Sequence, residues 1–211
     1  MSREPEHWLK TRSSKLGALL QRIDSKTFQM TIFAETPRLI LREITMEDVD
    51  GFFDIDSDPE VHKYLGTQPV TSKNQIVDII KSVRQQYIDN GIGRWAIVDK
   101  STNRFIGWTG LKLVKDVINN QTNYYDLGYR LIRKYWGQGI ATKTAIISLN
   151  YGFEKLNLNE IIATVNCENS ASNNVVSKIG FKMYETFYLH GLKHSWYKID
   201  KAGWLKSKPA Q

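Results

Sequence analysis

Two glycines one residue apart, Gly137 and Gly139, stand between a run that reads as a strand and a run that reads as a helix. Upstream, Tyr124-Tyr125-Asp126-Leu127-Gly128-Tyr129-Arg130-Leu131-Ile132 is rich in aromatic and branched residues, as strands are. Downstream, Ala145, Leu149, Gly152 and Leu156 recur at helical spacing and predict a long amphipathic helix. Glycine at both positions lets the backbone bend tightly and come close to a ligand. Ile140, Ala141 and Thr142 then open the helix, where unpaired N–H groups and the helix dipole favour an anion such as a pyrophosphate. A turn that only needs two glycines would look the same, so the motif alone leaves both readings open.

The chain has 211 residues, enough for one domain with appendages and a full core. No apolar run reaches the roughly 18 residues that would span a bilayer, and no membrane association is expected. The first residues lack the continuous apolar core of a secretory signal. With Cys167 as its one cysteine the chain has no intrachain disulfide, which suits a reducing, cytoplasmic setting. Cys167 itself reads as a small packing residue at a strand end. Net charge is +7, but residues 1–30 carry six Lys/Arg against three acids, leaving +4 for the rest. A mildly basic domain suits a polyphosphate ligand, and its cations are too dispersed for direct nucleic-acid recognition. His62, His190 and His194 lack metal-ligand spacing, and no His-Glu-x-x-His or Cys-x-x-Cys occurs, so no metal is expected.

Residues 1–29 read as an N-terminal extension, either an optional segment or an artefact, in which Leu16, Leu19, Leu20 and Ile23 predict one short helix. Residues 30–205 read as one α/β unit and residues 206–211 as a tail. Leu39 and Leu41 alternate in a first strand. Thr45 caps a helix over residues 46–55, with Asp48 placed for a capping box. Thr71 caps a second helix, whose buried face is Ile76, Ile79, Ile80, Val83 and Tyr87 and whose end is Gly91. Residues 94–99 and 104–113 read as a hairpin joined by Ser101-Thr102-Asn103. After the long helix, residues 160–165 form a near-continuous apolar strand, as a buried parallel neighbour requires. A short helix over residues 170–178 and a last antiparallel pair, 181–189 and 194–199, complete a mixed sheet flanked by helices.

A second segment, Asn166-Cys167-Glu168-Asn169-Ser170-Ala171-Ser172 running to Lys178-Ile179-Gly180-Phe181, follows the glycine turn by about thirty residues. Together with Trp136-Gly137-Gln138-Gly139-Ile140-Ala141 and the opening Thr36-Pro37-Arg38-Leu39-Ile40-Leu41-Arg42, it resembles the GNAT acyltransferases, most closely the RimJ/RimL type. The resemblance runs from about Thr36 to Trp204, with four separated motifs in the family's order. Trp136 departs from it, standing where the superfamily usually has Arg or Gln. The fold implied is a mixed α/β sheet that splays between its central parallel strands. The activity implied is transfer of an acetyl group from acetyl-CoA to a primary amine by direct attack in a ternary complex.

The resemblance also assigns residues. Main-chain groups of Leu131, Ile132 and Arg133 would meet the pantetheine arm, and Gly137, Gln138, Gly139, Ile140, Ala141 and Thr142 would supply N–H donors to the pyrophosphate. Asn169 would hold the pantetheine, although an Asn before a helix is also a ready N-cap. Lys178 would approach the adenosine phosphate, or be a plain surface lysine. Many members use a Tyr seven residues after the Asn to protonate the thiolate. Here that position is Val176, and the RimL-type alternative is Ser172. A serine in a first helical turn also bonds readily to backbone. Asp126 is the first expectation for the base that accepts the amine proton and Glu185 the second; either could instead be an exposed strand acid.

Tyr64, Tyr87, Tyr188 and His190 are expected near the acceptor. Glu47, Asp48, Asp50, Asp54, Asp56 and Asp58 place many carboxylates around the first helix, where they would suit a basic acceptor or form a solvated face. The expected acceptor is a protein or peptide α-amine, with an aminoglycoside or polyamine as the alternative, and the expected assembly is a monomer or homodimer. A dinucleotide oxidoreductase is set aside, because the third glycine position is Thr142 and the next strand ends in Asn166 instead of an acid. A non-catalytic CoA-binding module stays open, given Val176 and Trp136.

Overall fold

The computed structural model describes residues 30–207, so the helix expected over residues 16–23 lies outside the described residues. Eight strands form one sheet: β1 (Ile32–Glu35), β2 (Leu39–Glu43), β3 (Trp95–Asp99), β4 (Arg104–Val114), β5 (Tyr124–Leu131), β6 (Glu160–Asn166), β7 (Lys182–Leu189) and β8 (Leu192–Asp200). Their order is β1-β2-β3-β4-β5-β6-β8-β7. Strand β1, a short helix at Pro59–His62 and a C-terminal helix at Lys201–Ser207 add to the expected elements.

Alternation in β3 shows how the sheet is buried. Trp95 and Ile97 enter one apolar cluster with Leu111, Leu127, Leu149 and Phe153. Ala96 and Val98 enter a second cluster with Ile44, Phe52, Ile76 and Ile80. Successive strand residues point to opposite faces, so a strand buried at all five positions needs helices on both sides. Those helices are α1 (Val49–Asp56), α2 (Pro59–His62) and α3 (Lys73–Asn90), then α4 (Ile140–Asn150), α5 (Ser170–Lys178) and the C-terminal α6 (Lys201–Ser207).

Local chemistry sets the helix ends. Thr45 and Asp48 form the expected capping box, but the first turn, Met46–Asp48, is a 3-10 turn leading into α1. Helix α3 starts from Ser72 instead of Thr71. Gln75 lies three residues beyond Ser72 and closes a capping box with it, and its Oε1 also accepts the Thr71 N–H. Gly91 ends that helix in the left-handed region, as expected. Helix α4 runs on into a π-type turn, Tyr151–Lys155, so the long amphipathic stretch is one helix with a widened last turn.

All neighbouring strands are antiparallel except β5 and β6, which run parallel and share a single register pair, Asp126 with Ile162. Beyond that pair β5 remains paired with β4 as far as Leu131, while β6 remains paired with β8 as far as Asn166. The two central strands are therefore held on their outer edges and part between their C-terminal halves. A cleft of about 810 Å³ fills the gap. This is the splay that the family resemblance implies.

Candidate active site

One end of the cleft is the glycine turn. Gly137 and Gly139 have φ of +73° and +72°, and a Cβ at either would meet nothing within 4 Å. Glycine is thus required there by backbone conformation beside open space. Gly139 is the N-cap residue of α4, whose first-turn N–H groups have no helical partner. Gly137, Gln138, Gly139, Ile140, Ala141 and Thr142 all line the cleft. The turn is braced from outside: Gln138 accepts from Arg38 at 2.9 Å and donates to the Lys134 carbonyl at 3.0 Å, and Arg38 also bonds Asp99 at 3.2 Å. Ser101 and then Arg38 hold the Asp99 carboxyl below its ordinary range.

The strand end beside the turn differs from the open edge expected of it. The Leu131 carbonyl accepts from the Trp136 indole N–H at 2.9 Å, and the Ile132 N–H donates to the Ile106 carbonyl at 3.1 Å. The Ile132 and Arg133 carbonyls accept from Tyr135 and Trp136 within a 3-10 turn, Arg133–Tyr135. These groups are engaged because the chain turns sharply as soon as β5 ends. The unpaired edge of β5 lies upstream, from Leu127 to Arg130, where β6 has moved away. The Arg133 side chain pairs with Asp58 at 3.1 Å.

Helix α5 forms the opposite wall. Asn169 caps it, its Oδ1 accepting the Ser172 N–H at 3.0 Å. Both Asn169 and Ser172 line the cleft, and the Ser172 carbonyl accepts from the Tyr129 hydroxyl at 3.2 Å. Val176 is buried in the core. Lys178 is exposed at the far end of α5 and is not among the cleft residues.

The other half of the cleft holds Asp126, whose carboxylate forms an ion pair with the Arg94 guanidinium. Arg94 donates further to the Asp126 carbonyl at 2.6 Å and to the Gly110 carbonyl. This guanidinium lies over Gly128, where a Cβ would come within 2.7 Å of it. On the same side the Arg94 and Arg130 guanidinium groups lie over the Trp108 ring, at 5.5 Å and 5.1 Å from its centroid. Glu185 lies outside the cleft on the exposed strand β7, where it accepts from Asn119 at 2.9 Å.

Of the aromatic residues expected near the acceptor, Tyr64 lines the cleft. Tyr188 and His190 are exposed beyond it, and Tyr87 is half-buried away from it, accepting from the Ile44 N–H and donating to the Arg94 carbonyl. The acids of the first helix are largely occupied. Asp48 pairs with Arg42 at 2.7 Å, Asp56 with Arg130 at 2.6 Å, Asp58 with Arg133, and Asp50 with Lys73 at 2.7 Å. None of these carboxylates faces the cleft; Glu60 and Asp116 do.

Sequence reading missed Arg94, Trp108, Tyr129 and Arg130. Gly128 inside a strand was the available signal, since such a glycine often marks the close approach of another group. Among the described residues no group of His, Cys, Asp and Glu is placed to hold a metal, and no helix is long and apolar enough to cross a membrane.

These features fit a long, phosphate-bearing donor: open left-handed glycines at a helix N-terminus, a free strand edge leading away from them, and a cleft that continues past it. The model of the acetyltransferase (GNAT) domain family matches residues 38–182. The uncharacterized N-acetyltransferase p20 of Bacillus licheniformis is 34% identical over 147 residues, covering 70% of this chain and 80% of that protein. A structure of spermidine N-acetyltransferase from Vibrio cholerae in complex with CoA and spermine superposes with a TM-score of 0.65 at 20% identity, covering 81% of this chain and 99% of that one. The ribosomal-protein-S5-alanine acetyltransferase of Vibrio fischeri gives 0.64 at 19%, covering 83% and 98%. The splayed sheet, the glycine turn and the matched family agree, and the chain belongs to the GNAT family as an acetyl-CoA-dependent N-acetyltransferase.

Proposed function

We propose that this N-acetyltransferase is of the RimJ/RimL type and acts on the α-amine of a protein or peptide. The observation that carries this reading is the fate of the acidic first helix. A polyamine acceptor calls for unpaired carboxylates along its path, yet Asp48, Asp50, Asp56 and Asp58 pair with Arg or Lys, and Glu47 and Asp54 are exposed outside the cleft lining. Glu60 and Asp116 remain in the cleft wall against Lys63 and Lys112, which leaves no excess of negative charge to select a polycation.

In this reading Gly137 to Thr142 bind the donor's pyrophosphate, and the open edge of β5 together with Asn169 positions its pantetheine arm. The amine attacks the thioester directly. An α-amine titrates near about 8, so a useful neutral fraction exists at neutral pH and its proton passes to water. Asp126, expected as the base, is held by the Arg94 guanidinium; in this reading its remaining acceptor sites orient the incoming amine while water takes the proton. The departing sulfur takes a proton from a hydroxyl of the cleft wall, which both Ser172 and Tyr129 line.

The test is an acceptor panel read by mass spectrometry and CoA release: short peptides with free N-terminal alanine, serine or methionine, then spermidine, spermine and an aminoglycoside. Peptide α-acetylation should exceed polyamine acetylation by at least tenfold in kcat/KM. Faster turnover of spermidine than of every peptide would overturn the proposal.

A further inference from the structure

Val176 leaves the helical wall without the tyrosine that the family resemblance would place there, and β5 supplies one from across the cleft. Leu127, Tyr129 and Leu131 alternate onto the α4–α5 face of the sheet, the two leucines inside the core and Tyr129 packed against it. The Tyr129 hydroxyl reaches the Ser172 carbonyl at 3.2 Å. That carbonyl lies four residues before Val176, so the phenol ends at the height where a side chain from position 176 would begin.

Tyr129 reaches from β5 to α5 in the stretch where β5 and β6 part. Of the other cleft tyrosines, Tyr64 follows α2 away from the strand edge, Tyr124 lies before the Asp126–Ile162 pair, where the gap is closed, and Tyr135 lies in the turn at the phosphate end. Tyr129 stands two residues before Leu131, about 7 Å back along the strand. That is the stretch through which a pantetheine arm would run.

Resting on the acetyltransferase reading above, we infer that Tyr129, and not Ser172, is the acid that protonates the departing thiolate. Its present acceptor is a carbonyl that already serves the α5 ladder, so a thiolate is the stronger competitor for the proton. Burial pushes the Tyr129 phenol up, so it rests protonated, and the transfer is driven by the charge that builds on the sulfur beside it. The neutral amine forms the new C–N bond and the C–S bond breaks with its electron pair on sulfur. Sulfur takes the phenolic proton, and the proton shed by the amine returns to the phenoxide through water. The products are the acetamide and free CoA thiol.

The experiment compares Tyr129→Phe and Ser172→Ala with the wild-type full chain, using the peptide acetylated fastest in the panel above. Two donors are used: acetyl-CoA, and S-acetyl-4-nitrothiophenol, whose acidic thiol leaves without a proton. Tyr129→Phe should bind acetyl-CoA within twofold of wild type by calorimetry and lose about a hundredfold in kcat with acetyl-CoA. With the activated donor it should stay within threefold, and Ser172→Ala should stay within threefold with both. Equal losses with both donors, or lost acetyl-CoA binding, would reveal a structural role and overturn the assignment. So would retention of more than a third of kcat by Tyr129→Phe, or the hundredfold loss falling on Ser172→Ala. A wild-type chain that binds no acetyl-CoA would instead sink the underlying reading, and is seen before any variant is compared.

Discussion

Asp126 and Arg94 form an ion pair in the wall of the cleft, with side chains 18% and 12% exposed. The same aspartate is the residue at which β5 and β6 make their one parallel contact. A single position thus closes the splayed sheet and fixes the guanidinium that lies over Gly128.

Breaking that pair from one side leaves a partly buried cation without its counter-charge. Asp126→Ala is expected to cost about 3 kcal/mol, which lowers Tm by roughly 6–12 °C in a domain of this size. The double variant Arg94→Met, Asp126→Leu should recover most of the loss, because no charge is then stranded. Thermal unfolding of the three variants checks this. Asp126→Asn should lower kcat by roughly tenfold or more with acetyl-CoA binding intact, if the carboxylate orients the amine.

Gly139→Glu places a side chain and a like charge into the open space before the α4 N-terminus, at a φ that L residues resist. Calorimetric titration should show acetyl-CoA binding abolished. Gly139→Ala should weaken it by at most tenfold, since its methyl group meets no neighbour.

Asn169→Ala removes the side-chain acceptor of the Ser172 N–H. Loss of an N-cap costs about 1 kcal/mol, so Tm should fall by roughly 2–4 °C. If the Asn169 side chain also holds the pantetheine, Kd for acetyl-CoA should rise about tenfold. An unchanged Kd would confine Asn169 to capping.

Asp99 contributes stability with a defined pH dependence. Ser101 and Arg38 hold its folded carboxyl below the ordinary value near about 3.9. Its contribution is therefore complete above that value and is lost as pH falls through the lower folded one. Asp99→Asn should flatten the decline of Tm below about pH 4 and leave the slope near neutrality unchanged. Arg38 also braces Gln138, so Arg38→Ala should reproduce part of this effect and loosen the glycine turn.

Much of the architecture was legible because it depends on neighbours in sequence. The glycine turn needs two left-handed residues beside a helix start, and the Thr45–Asp48 box needs three-residue spacing. The apolar run of β6 needs only burial on both faces. Where local signals competed, small shifts resulted: Ser72 took the cap from Thr71 because Gln75 stands three residues from Ser72. The acids of the first helix could be counted in the sequence, but their pairing with Arg42, Arg130 and Arg133 could not.

The family resemblance, the place of the glycine turn and most of the element order are written in residue types at short, fixed spacings, whereas β1, the Pro59–His62 helix and the C-terminal helix are not. Which side chains share the cleft depends on tertiary packing. Arg94 meets Asp126 across 32 residues and Tyr129 meets Ser172 across 43. Such pairs depend on how far β5 and β6 separate, which is set by their outer partners β4 and β8 holding each strand in register.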